Sequence, residues 1–334
     1  MAKAFYDMGY TKTIAVNTAR SDLNGLDIPE DQKFLVDEHG EQGAGKDQAK
    51  AEAAIEKKEQ EVFNKFREVF GTNVDRIMIC LGVSGGSGGG TVNTLIKVAK
   101  KYFIYIGVED VDQRVGVIAS LPTAGESASP TVAKNAHARI TQLCGLAEKG
   151  QIAPLIMVDN EKIKKLYPKL TVKKFWTTIN NTVAGLFHVF NILANKDSEY
   201  TTFDATDYDS IMKQPGCMIM GVTSVKNLEN ETAVSSALKK NLEKTLLAEG
   251  FDLTTATGAA CIVVGSEEIF EETAGLMDNI EFGFDTLAAL TGGAMIHRGI
   301  YEDVNKDKLV TYTLVSGLKR PTKRIEGLKK FLKK

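Results

Sequence analysis

Apolar residues in the first half of the chain group into short continuous runs, which amphipathic stretches separate. The runs at 77–81, 115–120 and 153–158 have the length and composition of strands buried on both faces. Segments with apolar residues at helical spacing lie between them, for example around Leu95 and over 131–148. Alternating strands and helices of this kind predict an α/β domain built on a doubly wound parallel sheet.

The start of the chain carries shorter patterns of the same kind. Strands are predicted at 12–16 and 34–37. A long, charged, amphipathic helix is predicted to open at Lys46 or Asp47 and to continue to about Phe70.

The second half of the chain predicts a second α/β domain with a mixed sheet. Strands are predicted at 217–222, 259–264, 294–300 and 308–315, and the last two are expected to be antiparallel across a polar link. Residues 173–195 place apolar side chains on nearly every helical face, which predicts a long central core helix. The chain is therefore predicted to have four successive parts, at residues 1–172, 173–195, 196–318 and 319–334.

The most distinctive segment is Gly82–Thr91, which is rich in glycine, serine and threonine and precedes a helical pattern. A strand, a glycine-rich turn and a helix aim backbone N–H groups at an anion, and glycines with positive φ let the backbone approach phosphates. The segment lacks the Gly-Lys-Ser/Thr of a Walker A loop, and its poor match to the dinucleotide fingerprint disfavours a dehydrogenase. The alternative is a flexible linker, which the flanking apolar segments disfavour.

Composition and charge narrow the class of protein. The 334 residues are 43% apolar and 25% charged, which is typical of a globular protein. The net charge of −2 predicts no nucleic-acid partner. The apolar runs fall short of the roughly 20 residues of a transmembrane helix, so no transmembrane segment is expected. The four cysteines are far apart in apolar runs, which favours buried, reduced thiols in a cytoplasmic protein over a metal site.

The order of several short motifs resembles the FtsZ/tubulin superfamily. The segment Ser84–Gly90 lies over the GGGTGTG or GGGTGSG signature of that family, with three substitutions. The strand before Asn17 is similar to the family's IAINTD strand, and residues 43–45 resemble its GAG loop, which approaches the γ-phosphate. Lys46 is predicted either to reach a phosphate or to be a surface residue in a first helical turn.

Further resemblances concern the ribose and the base. Residues 121–126 resemble the family's P-F-x-F-E-G loop without its aromatic residues, which implies that Glu126 contacts the ribose. Asn160 follows a strand where the family recognises guanine, and Trp176 and Asn180 take the positions of two further base contacts. Core packing is the alternative for Trp176. The resemblance thus implies a nucleotide site that comprises Asn17, Gly43, Ala44, Gly45, Ser84, Gly85, Gly86, Ser87, Gly88, Gly89, Glu126, Asn160, Trp176 and Asn180.

The segment Thr202–Met212 resembles the family's N-x-D-F-x-D-V-x-x-V-M loop, with threonine in place of the asparagine. The resemblance implies that Asp204 and Asp207 are catalytic and act on the GTP of a neighbouring subunit. Phosphoryl transfer to water needs a positioned, polarised nucleophile, which carboxylates can supply. The alternative is an acidic turn in which Asp207 is the N-cap of a helix at 208–213.

Taken together, the motifs imply an FtsZ/TubZ-like GTPase that binds GTP or GDP with Mg²⁺ and polymerises with itself head-to-tail. Residues 1–172 are then its GTP-binding domain and 196–318 its activation domain, and the filament serves cell division or the positioning of DNA, plasmid or phage. The family's first strand and first phosphate loop are absent, so we expect a chain truncated at its start; the alternative is a protein that has lost part of this site. The alternative is a nucleotide-binding assembly or regulatory protein that does not hydrolyse GTP.

The tail at residues 319–334 is basic and carries an apolar stripe that includes Ile325 and Leu328. This pattern predicts binding to an adaptor protein, an acidic polymer surface or a membrane face. The alternative is a solvated terminal helix that docks through its stripe.

Overall fold

The computed structural model describes residues 1–36 and 43–332. The end of the strand predicted at 34–37 and the last two residues of the basic tail lie outside the described residues. Within the described ranges, every helix is too short or too polar to cross a lipid bilayer.

The chain forms two compact units. The first unit comprises residues 1–184 together with the C-terminal segment from Thr322, and the second unit comprises Gly185–Pro321. The four-part division predicted from the sequence stays a prediction.

The first unit contains two parallel sheets among its described residues. Strand β1 (Ala15–Asn17) pairs with β2 (Lys33–Leu35). The second sheet has the order β3 (Ile77–Gly82), β4 (Val115–Leu121), β5 (Leu155–Asp159). Nearly all side chains of β4 and β5 are buried, as their continuous apolar runs predict. The predicted parallel sheet is confirmed.

Helices connect these strands, and one predicted helix is divided. The helices are α1 (Ala2–Asp7), α2 (Arg20–Asn24), α3 (Gln48–Lys57), α4 (Glu59–Phe70), α5 (Gly86–Tyr105), α6 (Val111–Arg114), α7 (Ala124–Ser127), α8 (Pro130–Glu148) and α9 (Asn160–Leu166). The single helix predicted up to Phe70 is wrong, because Lys58 leaves helical geometry at φ −105° and ψ 14° and separates α3 from α4.

The long helix predicted at 173–195 is α10, which spans Val172–Leu193. The division between the two units falls within it, after Ala184. Val183 and Phe190 are fully buried, whereas Trp176 and Ile192 are half exposed. The helix is therefore amphipathic, with one face in the core, rather than buried on nearly all faces as predicted.

The second unit carries a mixed sheet. Its strands are β6 (Cys217–Ser224), β7 (Gly258–Gly265), β8 (Met295–Glu302) and β9 (Val310–Leu318). Their order is β6-β9-β7-β8, in which β9 is antiparallel to both neighbours and β7 is parallel to β8. The predicted mixed sheet is confirmed. The two last strands are not neighbours despite their short link, because β7 lies between them.

The remaining helices of the second unit flank these strands in the chain. They are α11 (Ala205–Met212), α12 (Ala233–Lys240), α13 (Glu267–Glu272) and α14 (Leu276–Leu290). Helix α11 forms most of the segment Thr202–Met212, in which the sequence predicts catalytic aspartates and which we call the acidic segment.

The C-terminal segment packs within the first unit. Helix α15 (Thr322–Glu326) is followed by a 3₁₀ turn over Gly327–Phe331. Ile325 and Leu328 are 2% and 0% exposed, so the protein covers this part of the apolar stripe, as the docked-helix alternative predicts. Binding of an adaptor by the basic tail stays a prediction.

Candidate functional site

The N-terminus of α5 follows directly on the glycine-rich turn. Strand β3 ends at Gly82 and α5 begins at Gly86, so most of the predicted glycine loop forms the first turns of the helix. Gly85 is the N-cap, and at this described helix end no side chain caps the first-turn amides and no acidic residue lies among them. These backbone N–H groups and the helix dipole therefore favour an anion.

The glycines of this turn do not adopt the backbone angles that we predicted. In the described chain, positive φ occurs nearby at Gly43 (73°), Gly45 (58°) and Lys46 (69°), whereas every glycine over 82–90 has negative or extended φ. The prediction of positive φ in the glycine run is wrong. The residues that resemble the GAG loop carry the left-handed conformations instead, which explains their glycines.

Close packing explains the glycines of the first helical turns. A Cβ atom at Gly90 would lie 2.4 Å from the Gln48 carbonyl oxygen and 2.6 Å from the Ala51 Cβ. A Cβ atom at Gly89 would overlap the Gln48 side chain. These glycines therefore let α3 pack closely against the start of α5. Any larger residue at these positions would push the two helices apart.

Four of the predicted nucleotide-binding residues, Asn17, Ala44, Gly86 and Ser87, meet beside the start of α5. The Ala44 amide donates to Thr18 Oγ1 at 3.1 Å. The Thr18 and Ser87 hydroxyl oxygens are 2.5 Å apart, and Ser87 Oγ donates to Asn17 Oδ1 at 2.9 Å. A Cβ at Gly86 would lie 2.9 Å from the Ala44 Cβ. The loop after β1, the GAG-like loop and the glycine turn thus form one cluster, which we call the hydroxyl cluster.

Gln48 supports the glycine turn from α3 and was missed by sequence reasoning. Its Nε2 donates to the Val83 and Gly85 carbonyl oxygens at 2.9 and 3.1 Å. Arg139 Nε donates to Gln48 Oε1 at 3.4 Å. Burial lowers the pKa of the Arg139 guanidinium, and the Glu52 carboxylate opposes this shift. The turn is therefore held by side chains whose sequence positions carry no motif.

Asn135 on α8 joins the GAG-like loop to the glycine turn. Its Nδ2 donates to the Lys46 carbonyl oxygen at 2.7 Å and to the Ser84 carbonyl oxygen at 3.4 Å. Lys46 itself is exposed, and its positive φ is uncommon for a residue with a Cβ. The reach of its side chain to a phosphate stays a prediction.

Glu126, the predicted ribose contact, takes part in a capping box of α7. Glu126 Oε2 accepts from the Thr123 amide at 2.8 Å and from Thr123 Oγ1 at 2.9 Å, and the Glu126 amide donates back to Thr123 Oγ1. The Ala124 amide donates to Glu161 Oε2 at 2.9 Å. Glu126 therefore has a local structural role, and its contact with a ribose stays a prediction.

The end of β5 combines a buried ion pair with an unpaired amide oxygen. Arg324 donates to both carboxylate oxygens of Asp159 at 2.6 and 2.9 Å, and the Asp159 side chain is 3% exposed. Next in the chain, Asn160 is 6% exposed, and its Oδ1 is buried with no hydrogen-bond partner among the described atoms. A buried amide oxygen of this kind suits a ligand that offers N–H donors, as the guanine edge does.

Helix α10 carries the two remaining base candidates. Trp176 and Asn180 are four residues apart and therefore share one face of the helix. The Trp176 side chain is 48% exposed, so core packing, the alternative for this residue, is wrong. The Phe175 ring packs edge-on against it, with 5.0 Å between the ring centroids. Contact of Trp176 and Asn180 with a base stays a prediction.

The two predicted catalytic aspartates open α11. Asp204 is the N-cap, its Oδ1 accepts from the Asp207 amide at 2.8 Å, and Asp207 Oδ2 accepts from the Asp204 amide at 3.4 Å. This is a capping box, which satisfies amides at the helix start. The alternative that Asp207 is the N-cap of a helix at 208–213 is wrong, because the helix begins three residues earlier and Asp204 is its N-cap.

One face of β8 holds this acidic segment. Tyr301, which is fully buried, accepts from the Phe203 amide at 2.8 Å and donates to the Phe203 carbonyl oxygen at 3.0 Å. A Cβ at Gly299 would lie 3.0 Å from the Phe203 Cβ, so the glycine makes room for it. His297 Nδ1 lies 2.7 Å from Asp207 Oδ1. Because these β8 residues alternate along the strand, they share a face.

Tyr301 and His297 were missed by sequence reasoning. Burial raises the pKa of Tyr301, the hydrogen bond with the Phe203 backbone opposes this shift, and the Asp204 and Asp207 carboxylates add to it. The hydroxyl therefore keeps its proton and remains a donor. The strand predicted at 294–300 includes His297 and ends just before Tyr301, and this signal does not identify the partner of either residue.

A parallel sheet that leads into an uncapped helix N-terminus at a glycine-rich turn defines a class of α/β proteins that bind phosphate-bearing ligands. Comparison with family models is more specific. The model of the tubulin/FtsZ family GTPase domain matches residues 1–168. The model of the C-terminal domain of the tubulin-like protein TubZ matches residues 201–322. Because the first match spans half of the chain, this protein belongs to the tubulin/FtsZ family.

Individual relatives agree with this assignment. Cell division protein FtsZ 1 of Pyrococcus furiosus is 23% identical over 302 residues, which cover 90% of this chain and 73% of the relative. Cell division protein FtsZ 2 of Halobacterium salinarum is 26% identical over 311 residues, which cover 92% of this chain and 70% of the relative.

Solved structures with the same fold include filament-forming proteins. The GTPγS-form protofilament of TubZ from Bacillus thuringiensis serovar israelensis has a TM-score of 0.79 at 20% identity, over 99% of this chain and 88% of that one. The GDP-bound CetZ1 monomer of Haloferax volcanii has a TM-score of 0.77 at 21% identity, over 99% of this chain and 94% of that one. The predicted tubulin/FtsZ-like fold is confirmed.

Proposed function

We propose that this protein binds GTP, polymerises head-to-tail with copies of itself in the cytoplasm, and hydrolyses GTP when a neighbouring subunit completes the site. In the reaction, water bonds to the γ-phosphorus while the bond from that atom to the β–γ bridging oxygen breaks, which yields GDP and phosphate. Membership of a family with a GTPase domain supports this activity, and a neighbouring structure with the same fold is a GTPγS-form protofilament. The filament serves cell division or the positioning of DNA, plasmid or phage.

The observation that carries the proposal is the hydroxyl cluster beside the uncapped start of α5. The Ser87 and Thr18 hydroxyls bond to each other, and the Ala44 amide bonds to Thr18. They adjoin the backbone amides of the first turn of α5, which no side chain caps. A triphosphate supplies the negative charge and the acceptor oxygens that such a helix terminus favours. In this proposal, residues 84–89 bind the phosphates mainly through backbone N–H donors, and residues 43–45 form a second loop beside the phosphates.

Recognition of guanine is proposed for Asn160, Trp176 and Asn180. The Asn160 Oδ1 is a buried acceptor without a described partner, and guanine offers N–H donors along one edge. The exposed Trp176 indole provides a surface on which a base can stack. Asn160→Ala is expected to weaken GTP binding relative to the parent, by on the order of 1–3 kcal/mol for a lost buried hydrogen bond.

Mg²⁺ is the proposed companion of the nucleotide. Among the described residues, no group of three His, Cys, Asp or Glu side chains is arranged to hold a metal ion. Mg²⁺ keeps water and phosphate ligands in nucleotide sites and needs few protein ligands, so the triphosphate would supply much of its coordination. When bound, the ion offsets negative charge on the phosphates.

The acidic segment is proposed to act across the filament contact. Asp204 and Asp207 belong to the second unit, and the nucleotide residues belong to the first. A carboxylate beside the triphosphate of its own subunit would weaken binding by charge repulsion. Supplied by the next subunit, it can order the attacking water without reducing the affinity of the monomer for GTP.

The second candidate is an assembly protein that binds GTP and does not hydrolyse it. The observation in its favour is the capping box, which explains both aspartates by helix formation alone. The two candidates differ in one measurement, the release of phosphate from GTP as a function of protein concentration. The proposed GTPase has a rate per subunit that rises steeply with concentration, whereas the second candidate assembles with GTP and releases no phosphate.

A mixing experiment tests the contribution of a neighbouring subunit. Asp207→Ala retains the nucleotide site and is expected to hydrolyse on the order of 100-fold more slowly. Ser87→Asp places a carboxylate at the start of α5, where it repels the triphosphate and still suits the helix dipole. Each variant alone is expected to hydrolyse GTP far more slowly than the parent, and a mixture is expected to recover activity because the first supplies bound GTP and the second supplies Asp207.

The control is Asp209→Asn, which removes a carboxylate from the same helix. Asp209 pairs with Lys213 at 2.7 Å on α11, outside the capping box. This variant is expected to hydrolyse GTP at the parent rate. A parent rate that is independent of concentration, together with no recovery on mixing, would contradict the proposal of catalysis between subunits.

A further inference from the structure

His297 joins two residues of α11 through its two ring nitrogens. Its Nδ1 lies 2.7 Å from Asp207 Oδ1, and its Nε2 lies 3.1 Å from Ser210 Oγ. Ser210 Oγ also donates to the Asp207 carbonyl oxygen at 2.8 Å. The His297 side chain is 14% exposed, and that of Asp207 is 31% exposed. The imidazole ring is thus mostly buried and contacts a carboxylate that remains accessible to solvent.

The chemistry of these contacts places a hydrogen on His297 Nδ1. An ionised carboxylate only accepts hydrogen bonds, so the hydrogen of the 2.7 Å contact must be on His297 Nδ1. A histidine whose Nδ1–H is bound by a carboxylate has a defined ring orientation. Ser210 Oγ lies 3.1 Å from the opposite ring nitrogen, and Nε2 and the Asp207 carbonyl oxygen compete for its one hydrogen, so the imidazole has a polar contact at both ends.

The two oxygens of Asp207 are therefore not equivalent. Oδ1 faces the imidazole at 2.7 Å, whereas Oδ2 has a single long contact of 3.4 Å with the Asp204 amide among the described atoms. The first oxygen is anchored, and the second retains lone pairs that can accept hydrogen bonds. A carboxylate that is held by one oxygen and accessible at the other can direct a water molecule.

Asp204 is held in a different way. Its Oδ1 accepts from the Asp207 amide at 2.8 Å as the N-cap of α11. The Asp204 side chain thus bonds to backbone at the start of the helix. Asp204 directly follows Phe203, whose backbone N–H and carbonyl both bond to the Tyr301 hydroxyl. The geometry of Asp204 is that of a helix cap, whereas the geometry of Asp207 includes a side-chain support from another element.

We propose that His297 is a positioning residue that orients Asp207 toward the attacking water of the neighbouring site, and that Asp204 mainly caps α11. The inference rests on the proposed GTPase function. An unsupported Asp207 can rotate about its side-chain bonds, and small misplacements of a catalytic group reduce rates strongly. Loss of the hydrogen-bond donor to Asp207 Oδ1 is therefore expected to slow hydrolysis while GTP binding and assembly remain unchanged.

Two amide substitutions provide the test. In His297→Asn the side-chain NH₂ takes the place of Nδ1 and can still donate to Asp207. In His297→Gln it takes the place of Nε2 and can donate only toward Ser210. Both residues are polar and uncharged, so a general structural effect would change both variants alike. His297→Asn keeps a donor to Asp207 and loses only the contact with Ser210, so we expect it to be severalfold slower than the parent, like Ser210→Ala; His297→Gln loses the donor to Asp207 and is expected to be slower still, on the order of tenfold or more in kcat.

The readouts separate positioning from folding. Thermal unfolding, GTP affinity and the concentration threshold for assembly are measured for both variants, and parent-like values are expected. The double variant His297→Gln with Asp207→Ala is expected to be no slower than Asp207→Ala alone, because the imidazole acts through Asp207. Equal kcat values for the Asn and Gln variants, or additive losses in the double variant, would overturn the inference.

Ser210→Ala tests the same support with His297 intact. It removes the hydroxyl at the second ring nitrogen and is expected to lower kcat severalfold without changing assembly, and a parent rate would overturn the inference. This arm decides the matter if an amide variant fails to fold. Failure of the proposed function is recognised separately, because Asp207→Ala would then hydrolyse GTP at the parent rate or the parent would release no phosphate.

Discussion

The hydroxyl cluster of the first unit and the acidic segment of the second unit are assembled by opposite means. In the hydroxyl cluster, single hydrogen bonds join distant residues, such as Ser87 and Asn17, which are 70 positions apart. In the acidic segment, Asp204 and Asp207 are three positions apart and bond to each other. The first region therefore depends on the packing of several elements, whereas the second depends on one helix start and one strand.

This difference predicts different consequences of mutation. A change near the nucleotide side acts first on the stability of the whole first unit, because its contacts hold separate elements together. A change in the acidic segment acts first on the orientation of a few side chains, since the capping box is local. Three predictions test this contrast.

The largest effect is expected for Arg324→Met. The substitution removes both hydrogen bonds to the Asp159 carboxylate, whose side chain is 3% exposed, and leaves a buried charge without its partner. Breaking a buried pair in this way costs about 3–5 kcal/mol. The midpoint of thermal unfolding of the first unit should fall, and GTP affinity should fall with it because Asn160 follows Asp159.

The matched control is Lys323→Met, the same substitution of a basic residue one position earlier in α15. Lys323 is exposed, so its removal is expected to change the midpoint little. Equal destabilisation by the two variants would show that the basic tail acts through its total charge. That result would contradict the role assigned to the Arg324–Asp159 pair.

The sequence predicts the fold well because apolar periodicity and motif order both report on it. The buried runs at β4 and β5 correspond to predicted strands, and the polar Ser84–Gly90 segment lies where a helix begins. The separation of β8 and β9 by β7 could not be predicted, because a short link does not determine which strand lies between two others.

The supports of the candidate site could not be predicted for a related reason. Gln48, Asn135 and His297 occupy helix or strand positions whose local pattern is unremarkable, and their partners are distant in the chain. Motif resemblance identifies residues that face a ligand, whereas the residues that hold them in place depend on tertiary packing. The capping box of Asp204 and Asp207 has a local signature, but motif resemblance alone assigns both residues to catalysis.

A smaller effect is expected for Gly90→Ala. The added Cβ would lie 2.4 Å from the Gln48 carbonyl oxygen and 2.6 Å from the Ala51 Cβ, and the backbone of α3 would have to shift. Overpacking of this kind costs about 1–3 kcal/mol. Unfolding in urea, followed by circular dichroism, measures the loss.

Gly88→Ala is the matched control for Gly90→Ala on the same helix. Its Cβ would meet the Leu81 Cβ at 3.2 Å and no atom closer, and alanine favours a helix interior over glycine by about 1 kcal/mol. This variant is therefore expected to be as stable as the parent or slightly more stable. Similar losses for Gly88→Ala and Gly90→Ala would indicate that backbone freedom, rather than close packing, explains the glycine run.

The smallest effect is expected at Asp204, where cap and charge can be separated. Asp204→Ala removes the acceptor for the Asp207 amide and should cost about 1 kcal/mol, as for other N-caps. Asp204→Asn keeps an acceptor oxygen at the same place and removes only the charge, so its stability should remain near that of the parent. If Asp204 acts as a cap, the Asn variant also hydrolyses GTP near the parent rate. A large loss of kcat in Asp204→Asn at parent stability would assign chemistry to both carboxylates, and the acidic segment would then be a catalytic pair rather than one directing carboxylate on a capped helix.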